Sequence, residues 1–435
     1  MPGPGGQRLK QEEDRSMDRN TAGERPIRVG VVGIRRGSSF ISGATETVGM
    51  KLTALCDTRE EKLQEIGQRY DVTVYTDYDR FLEHDMDAVV LANYFHEHAP
   101  LALKALAAGK HVMSETAACK TMAEGVALCR AVKQSGKTYM FAENYPYSAA
   151  CQELRRLYLT GEIGDVRYAE GEYNHAMEED KRLSISPGSM HWRNWCPSTY
   201  YCSHALAPLM FITDTMPANV NALSVVEEGM QSPHTLKMSD LGSIILVRMD
   251  NGAVFRLWGL MLSSIHRIKY EIHGECGYMA TAAPDHWSTV HIHHEEWLRQ
   301  PGKPNDLTYR PDWPEHGDLA RQAGHGGGDF WMNFHFARAI RSGEPPYLDV
   351  YRGVAMSAVG ILGWRSCLQD GAPFRIPDFR DEAVLSAYEN DHWSPFPEDA
   401  GSGQPPPSIR GLVEPSPEAL AHAREIWTKQ GYNGE

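Results

Sequence analysis

Short apolar runs alternating with stretches of helical periodicity organise the first third of the chain. "IRVGVVG" (27–33), "KLTALCD" (51–57), "MDAVVLAN" (86–93) and "KHVMSE" (110–115) predict parallel strands buried on both faces. Between them "TREEKLQEIGQRY", "EHAPLALKALAAGK" and "TMAEGVALCRAVKQSGK" predict helices, the last opened by a Thr121 cap with Glu124 three positions on. Strand and helix in that rhythm predict a doubly wound parallel sheet, an α/β domain over residues 27–148. Past it the texture changes to strands parted by tight turns: "ANVNALSVV", "GSIILVRMDNGAVFRLWGL" with Asn251-Gly252 as a hairpin turn, "RIKYEIHGECGYMAT" and "STVHIHH". These predict an α+β domain over residues 149–393, built on a large, mostly antiparallel open-faced sheet and two following helices. A Pro/Gly/Ser-rich linker and the helix "EALAHAREIWTKQ" fill residues 394–435, and the polar residues 1–26 predict a disordered tail.

Bulk properties narrow the partners. A chain of 435 residues exceeds what one core serves, in agreement with two domains. A formal charge of -14 without a long basic run argues against nucleic acid or an anionic membrane surface, and for a neutral or weakly charged small molecule. The sequence has no apolar stretch of membrane-spanning length and no signal-peptide core, so a cytoplasmic location is expected. The eight cysteines form no Cys-x-x-Cys pair and are expected to stay reduced. His291 and His293 share one face of "HIHH", but no carboxylate cluster is paired with them in the sequence; the reading is an exposed polar strand, with no metal. An uncovered sheet face favours a homodimer or homotetramer.

Two stretches carry candidate chemistry. In "GVVGIRRGSS", Gly33 fits the first glycine of G-x-G-x-x-G, while Arg35 and Ser38 stand where the other two fall and Arg36 lies between. The turn follows a strand and opens a helix whose free N–H groups can hold a pyrophosphate. Asp57 ends the second strand, where an acid accepts a bond from the ribose 2′-OH and repels a 2′-phosphate, so NAD is expected over NADP. Arg35 and Arg59 are the side chains that can pair with a phosphate instead. Asn93 and His98 follow the carboxyl end of a strand, where such folds bind cofactor. In "EGEYNHAM" (170–177), strand alternation points Tyr173 and His175 to one face, and the ordinary account is a half-buried strand with a polar aromatic pair.

The run "HEHAPLALKALAAGKHVMSE", followed by "AENYPY" and "LYLTGEIGDVRYAEGEYNH", resembles the Gfo/Idh/MocA family of oxidoreductases over nearly the whole chain. That resemblance implies an N-terminal NAD(P)-binding Rossmann domain and a C-terminal open-faced sheet domain. Sugar dehydrogenases of the family carry Glu-Lys-Pro where this chain has Glu115, Thr116 and Ala117, and an aspartate where Tyr200 stands four residues before His204. One branch lacks the same lysine, the NAD-dependent α-N-acetylgalactosaminidases. The chain looks like that branch at Glu143 with Asn144, at Tyr173 and His175, at Tyr201 and His204 in "YYCSH", and in "HWRNW" and "HGGGD". Glu115, Thr116, Asn144, Trp192 and Arg193 are then candidates for the cofactor side of the site.

The chemistry that resemblance implies is a glycoside whose C3–H gives a hydride to NAD⁺ as its C3 hydroxyl loses a proton, whose acidified C2 proton is removed, and whose C1 substituent leaves by elimination. Water adds, the hydride returns, and net redox is zero. Such a route uses several proton-transfer groups around one ring rather than the paired carboxylates of ordinary glycosidases. Tyr201 and His204 are expected to be neighbours on a helix beginning at "YYCSHALAPLMF" and to serve the C2 and C3 proton transfers. Tyr173 and His175 are expected at the ring hydroxyls or leaving group, with Glu143 orienting a base or binding a hydroxyl. Against these stand plainer accounts: Arg193 stacked on a structural Trp192 beside His191, Asp329 capping the helix after His325, and Lys120 as a solvated helix-start lysine. Two other functions remain open, a sugar dehydrogenase that stops at the keto sugar and a non-catalytic NAD-linked sensor.

Overall fold

The computed structural model describes residues 25–432 apart from 44, 227–235, 262–264, 300 and 314; the tail expected over 1–26 lies outside the described residues up to 24. The first sheet contains β1 (Ile27–Val32), β2 (Met50–Cys56), β3 (Thr73–Tyr75), β4 (Ala88–Leu91), β5 (His111–Ser114) and β6 (Tyr139–Phe141). Their order is β3-β2-β1-β4-β5-β6, with every pairing parallel. This is the doubly wound order, with its crevice at the carboxyl ends of β1 and β4. The four strands legible as apolar runs are β1, β2, β4 and β5; β3 and β6 span three residues each, too short to leave a pattern. Helices α1 (Ser38–Gly43), α2 (Glu60–Tyr70), α3 (His98–Ala107) and α4 (Met122–Ser135) flank the sheet. Thr121 caps α4 by accepting the Glu124 N–H, while the Glu124 carboxylate accepts the Lys120 N–H.

After α5 (Ala149–Leu159), the second sheet begins with β7 (Tyr168–Asn174), and α6 (Ser203–Thr213) crosses it before β8 (Pro217–Val225). The sheet continues through β9 (Gly242–Met249), β10 (Val254–Met261), β11 (Arg267–His273), β12 (Tyr278–Thr281), β13 (Val290–His293), β14 (Asp306–Tyr309) and β15 (Phe374–Arg375). Its order is β14-β13-β12-β11-β7-β10-β9-β8-β15. Every pairing is antiparallel except β7 with β10, which are parallel at the centre. "RIKYEIHGECGYMAT" divides into β11 and β12 about a turn. The ladder carries its charge on the outer face, where Glu172 pairs with Arg267 and Glu170 with Arg256. The inner face packs on α6, and Gly171 allows the close approach: a Cβ there would lie 2.1 Å from the Ala205 carbonyl oxygen.

Helices α7 (Gly328–Ser342) and α8 (Val350–Cys367) follow, and α9 (Pro417–Lys429) packs on the short helix Glu179–Ser184. The stretch from 394 onward is not a loose linker. Phe396 is buried against Tyr200, His96 and Phe95, with ring centroids 5.5, 5.8 and 6.1 Å away, and Glu398 and Asp399 bind Lys120 Nζ at 2.9 and 2.6 Å. A Pro/Gly-rich composition forecasts the lack of regular structure; it does not forecast exposure. Phe396→Ala is expected to cost about 3 kcal/mol of stability, read from denaturant unfolding, because it empties a site closed by both domains.

Candidate active site

The site forms where the carboxyl end of the parallel sheet meets the inner face of β7 and the start of α6. His204 sits in the first turn of α6, and its backbone carbonyl has no helical donor because Pro208 carries no N–H; Tyr270 Oη–H supplies the bond at 2.7 Å. That clamp fixes the ring beside Glu143, whose carboxylate oxygens lie 2.7 and 2.8 Å from His204 Nδ1. Glu143 is fully buried. A carboxylate accepting the Nδ1 proton leaves Nε2 as the basic nitrogen, the one turned to the cavity.

Three phenols surround that imidazole. Tyr145 and Tyr173 each lie 4.5 Å from it by ring centroids, and Tyr201 lies at 5.1 Å. Burial, and then the neighbouring phenols, push Tyr173 and Tyr145 well above the ordinary phenol value, and burial raises Tyr201 as well. All three therefore stay protonated near neutrality and can donate hydrogen bonds. Tyr201 ends a 3₁₀ turn (Ser198–Tyr201) rather than sharing a helix with His204, the second residue of α6, whose first is Ser203 just after Cys202. The two rings meet by a bend and not by helical spacing. His175 lies beyond the end of β7, 5.5 Å from Tyr173 and 4.9 Å from His266, at the rim rather than among the cavity's lining side chains.

The cavity measures about 220 Å³. One wall is a stack of Phe95 on Trp192 at 5.0 Å with Tyr201 beside it, and Arg193 lies 4.4 Å over Trp192. Arg36, Asn93, His98, Glu115, Thr116 and Asn144, all expected on the cofactor side, line the same cavity. Arg36 Nη2 reaches Glu115 at 2.6 Å and Asp329 at 3.3 Å. Asp329 does not cap α7: it binds Arg36, Asn144 and His325, and although burial opposes it, His325 and Arg36 hold its carboxyl below the ordinary range. His98 Nδ1–H donates to Ala117 O, 3.0 Å away, and burial pulls its pKa down to about 4, so it is neutral.

At the far end of the cofactor groove, Gly33 has φ +88°, and a Cβ there would stand 2.4 Å from the Ala92 carbonyl oxygen. The turn therefore presents bare backbone beside Asn93, whose Oδ1 is buried and unbonded among the described residues. Ile34 N–H and Arg59 bind Asp57, and Arg35 and Ser38 border the same turn. A bare turn, an open amide oxygen and a terminal acid fit a dinucleotide.

Some expectations are corrected. Lys120 is neither solvated nor in the cavity; it is buried in its pairs with Glu398 and Asp399. Tyr200 is buried with its hydroxyl on Lys120 O at 3.3 Å, so no acid replaces the missing aspartate there. His291 and His293 both face Asp306, at 3.1 and 2.9 Å, and among the described residues no group of three or more His, Cys, Asp or Glu is arranged to hold a metal ion. No helix among them is long and apolar enough to cross a membrane. Tyr145, Phe95 and His266 escaped sequence reading. Tyr145 follows Glu143 and Asn144 in a 3₁₀ turn that leaves no periodic pattern, and His266 precedes its strand. A roomier open groove of about 480 Å³ lies beside Arg365, Trp393 and Gln404, where Arg365 and Asp391 already pair.

Comparison with known proteins agrees with this fold. Residues 27–143 match the oxidoreductase family (Gfo/Idh/MocA) with an NAD-binding Rossmann fold, and residues 254–385 match the C-terminal domain of glycosyl hydrolase 109. A glycosyl hydrolase family 109 protein of Solibacter usitatus is 25% identical over 399 residues, covering 81% of this chain and 88% of the relative. An oxidoreductase domain protein from Kribbella flavida superposes with a TM-score of 0.70 at 20% identity, covering 81% of this chain and all of that one. Levoglucosan dehydrogenase in complex with NADH superposes at 0.69 and 18% identity, with the same 81% and 100% coverage.

Proposed function

As an NAD-dependent enzyme that joins a Gfo/Idh/MocA-family domain to a glycosyl hydrolase 109 C-terminal domain, the protein is, we propose, a glycoside hydrolase that works through transient oxidation of its sugar. The observation that carries the reading is the His204–Glu143 pair facing a cavity ringed by protonated phenols, with Thr116 where sugar dehydrogenases of the family hold a lysine.

NAD, when bound, supplies a reversible hydride acceptor for C3 of the sugar, which leaves net redox at zero. The chain's own residues handle the protons. His204 Nε2 is the base for the C2 proton, which is acidic once C3 is a carbonyl, and Glu143 stabilises the imidazolium through the Nδ1–H bond. Glu143 touches no substrate from its buried place and is a positioning residue. Tyr173 and Tyr201 donate hydrogen bonds to ring hydroxyls or to the departing C1 oxygen, the direction open to a phenol that stays protonated. Tyr145 buttresses the Tyr173 phenol and the imidazole. The Phe95–Trp192 wall gives the C–H face of a sugar an apolar surface.

Aryl glycosides incubated in D₂O test the reading. The released sugar is expected to carry solvent deuterium at C2 by NMR, without accumulation of NADH. Cleavage without label would remove the elimination route, and steady NADH formation from a free sugar would make the protein a dehydrogenase.

A further inference from the structure

The acid at the ribose end of the groove is already engaged by the protein itself. Asp57 Oδ2 accepts the Ile34 N–H at 2.9 Å and Arg59 Nη2 at 3.1 Å, while Oδ1 accepts the Arg59 N–H at 2.9 Å and Arg59 Nε at 3.1 Å. A carboxylate offers about four lone-pair positions. A ribose 2′-hydroxyl therefore reaches Asp57 only by displacing a bond already made. The bidentate guanidinium also cancels the negative charge that makes an acid at this position hostile to a 2′-phosphate. Although burial works against it, Arg59 and the two N–H bonds hold Asp57 below its ordinary value, so the pair is an ionised one.

Arg35 adds a second cation. Among the described residues it forms no ion pair, and its electrostatic neighbours are Arg193, Arg59 and the Tyr94 phenol; burial and the two arginines draw its pKa down. Asp57, Arg59 and Arg35 together leave this corner net positive. Half the Arg59 side chain is exposed, so it can turn without unpacking a core.

We propose that this corner admits a 2′-phosphate, so that the protein binds NADP(H) as well as NAD(H), with Arg59 and Arg35 as the residues that hold the extra phosphate. The proposal rests on the NAD-binding domain alone and is independent of the glycosidase reading.

Calorimetric titration of the full-length protein with NADP and NAD, and with 2′,5′-ADP and 5′-AMP as fragments, tests it at one fixed ionic strength, since exposed charge is screened by salt. The expected result is NADP bound within about tenfold of NAD, with Arg59→Ala weakening NADP and 2′,5′-ADP at least about fivefold more than NAD and AMP, the scale of one charge-assisted bond. Retained AMP binding shows that the variant is folded. Arg59→Lys, which keeps the charge, is expected to retain more of the NADP affinity than Arg59→Ala. NADP bound more than about tenfold weaker than NAD in the wild type, or equal losses for both ligand pairs on Arg59→Ala, would overturn the proposal; equal losses would assign the arginine to groups common to both dinucleotides.

Discussion

His204→Ala is expected to lower kcat by roughly 100- to 10,000-fold while dinucleotide binding stays as it was, the range for removal of a general acid–base group. The residue is well suited to isolate chemistry from folding. Its ring is held by Glu143 on one nitrogen, its backbone by Tyr270, and only Nε2 is left for substrate. Truncation leaves the α6 backbone and its Tyr270 clamp in place but strands Glu143 as a buried carboxylate without its partner. Some loss of stability is therefore expected too, and thermal unfolding must be read beside the kinetics. His204→Gln fills the space with a neutral amide and separates the two effects: activity is expected to stay lost while stability recovers. Turnover within tenfold of the wild type in both variants would show that the C2 base lies elsewhere.

Gly33→Val is expected to abolish dinucleotide binding and to lower stability by roughly 2–5 kcal/mol. A left-handed backbone costs an L-residue about 1–2 kcal/mol and overpacking a further 1–3 kcal/mol. Both apply, because φ is +88° and the new Cβ would stand 2.4 Å from the Ala92 carbonyl oxygen and 2.7 Å from the Asn93 nitrogen. These neighbours are backbone at the end of β4, so relief comes only by moving the turn or the strand end that carries Asn93 into the cavity. Titration with NAD and thermal unfolding check the two effects. A variant that melts with the wild type and binds NAD equally well would show that this turn tolerates displacement and that the groove does not depend on it.

What the sequence disclosed follows from how locally each feature is written. The doubly wound domain was legible because strands buried on both faces must be largely apolar, as β4 is throughout and β1 is apart from Arg28. The Tyr173 and His175 pairing was legible in part: strand alternation gave their common face, but not that His175 lies past the strand end beside His266. The Glu143–His204 bond joins residues 61 positions apart, so only the family resemblance brought them into one site, and nothing local announced that Nδ1 would be taken. The role of Pro208 is of the same kind: a proline inside a helix signals a missing N–H, yet the tyrosine that answers it lies on β11. The hydrophobic pattern likewise finds β7 to β13 of the second sheet, though not the short edge strands β14 and β15, but does not say which of them lie side by side, and so the parallel contact of β7 with β10 was not foreseen.

That contact bears on how the chain is made. Both strands that flank β7 in the finished sheet, Val254–Met261 and Arg267–His273, are translated long after it. On the ribosome, the segment bearing Tyr173 emerges with two unsatisfied edges and waits for roughly a hundred more residues, several seconds or longer at about 5–20 residues per second. During that interval it is a sticky template for neighbouring nascent chains. Expression yield should therefore depend on slow growth or holdase chaperones far more than the stability of the completed molecule would suggest.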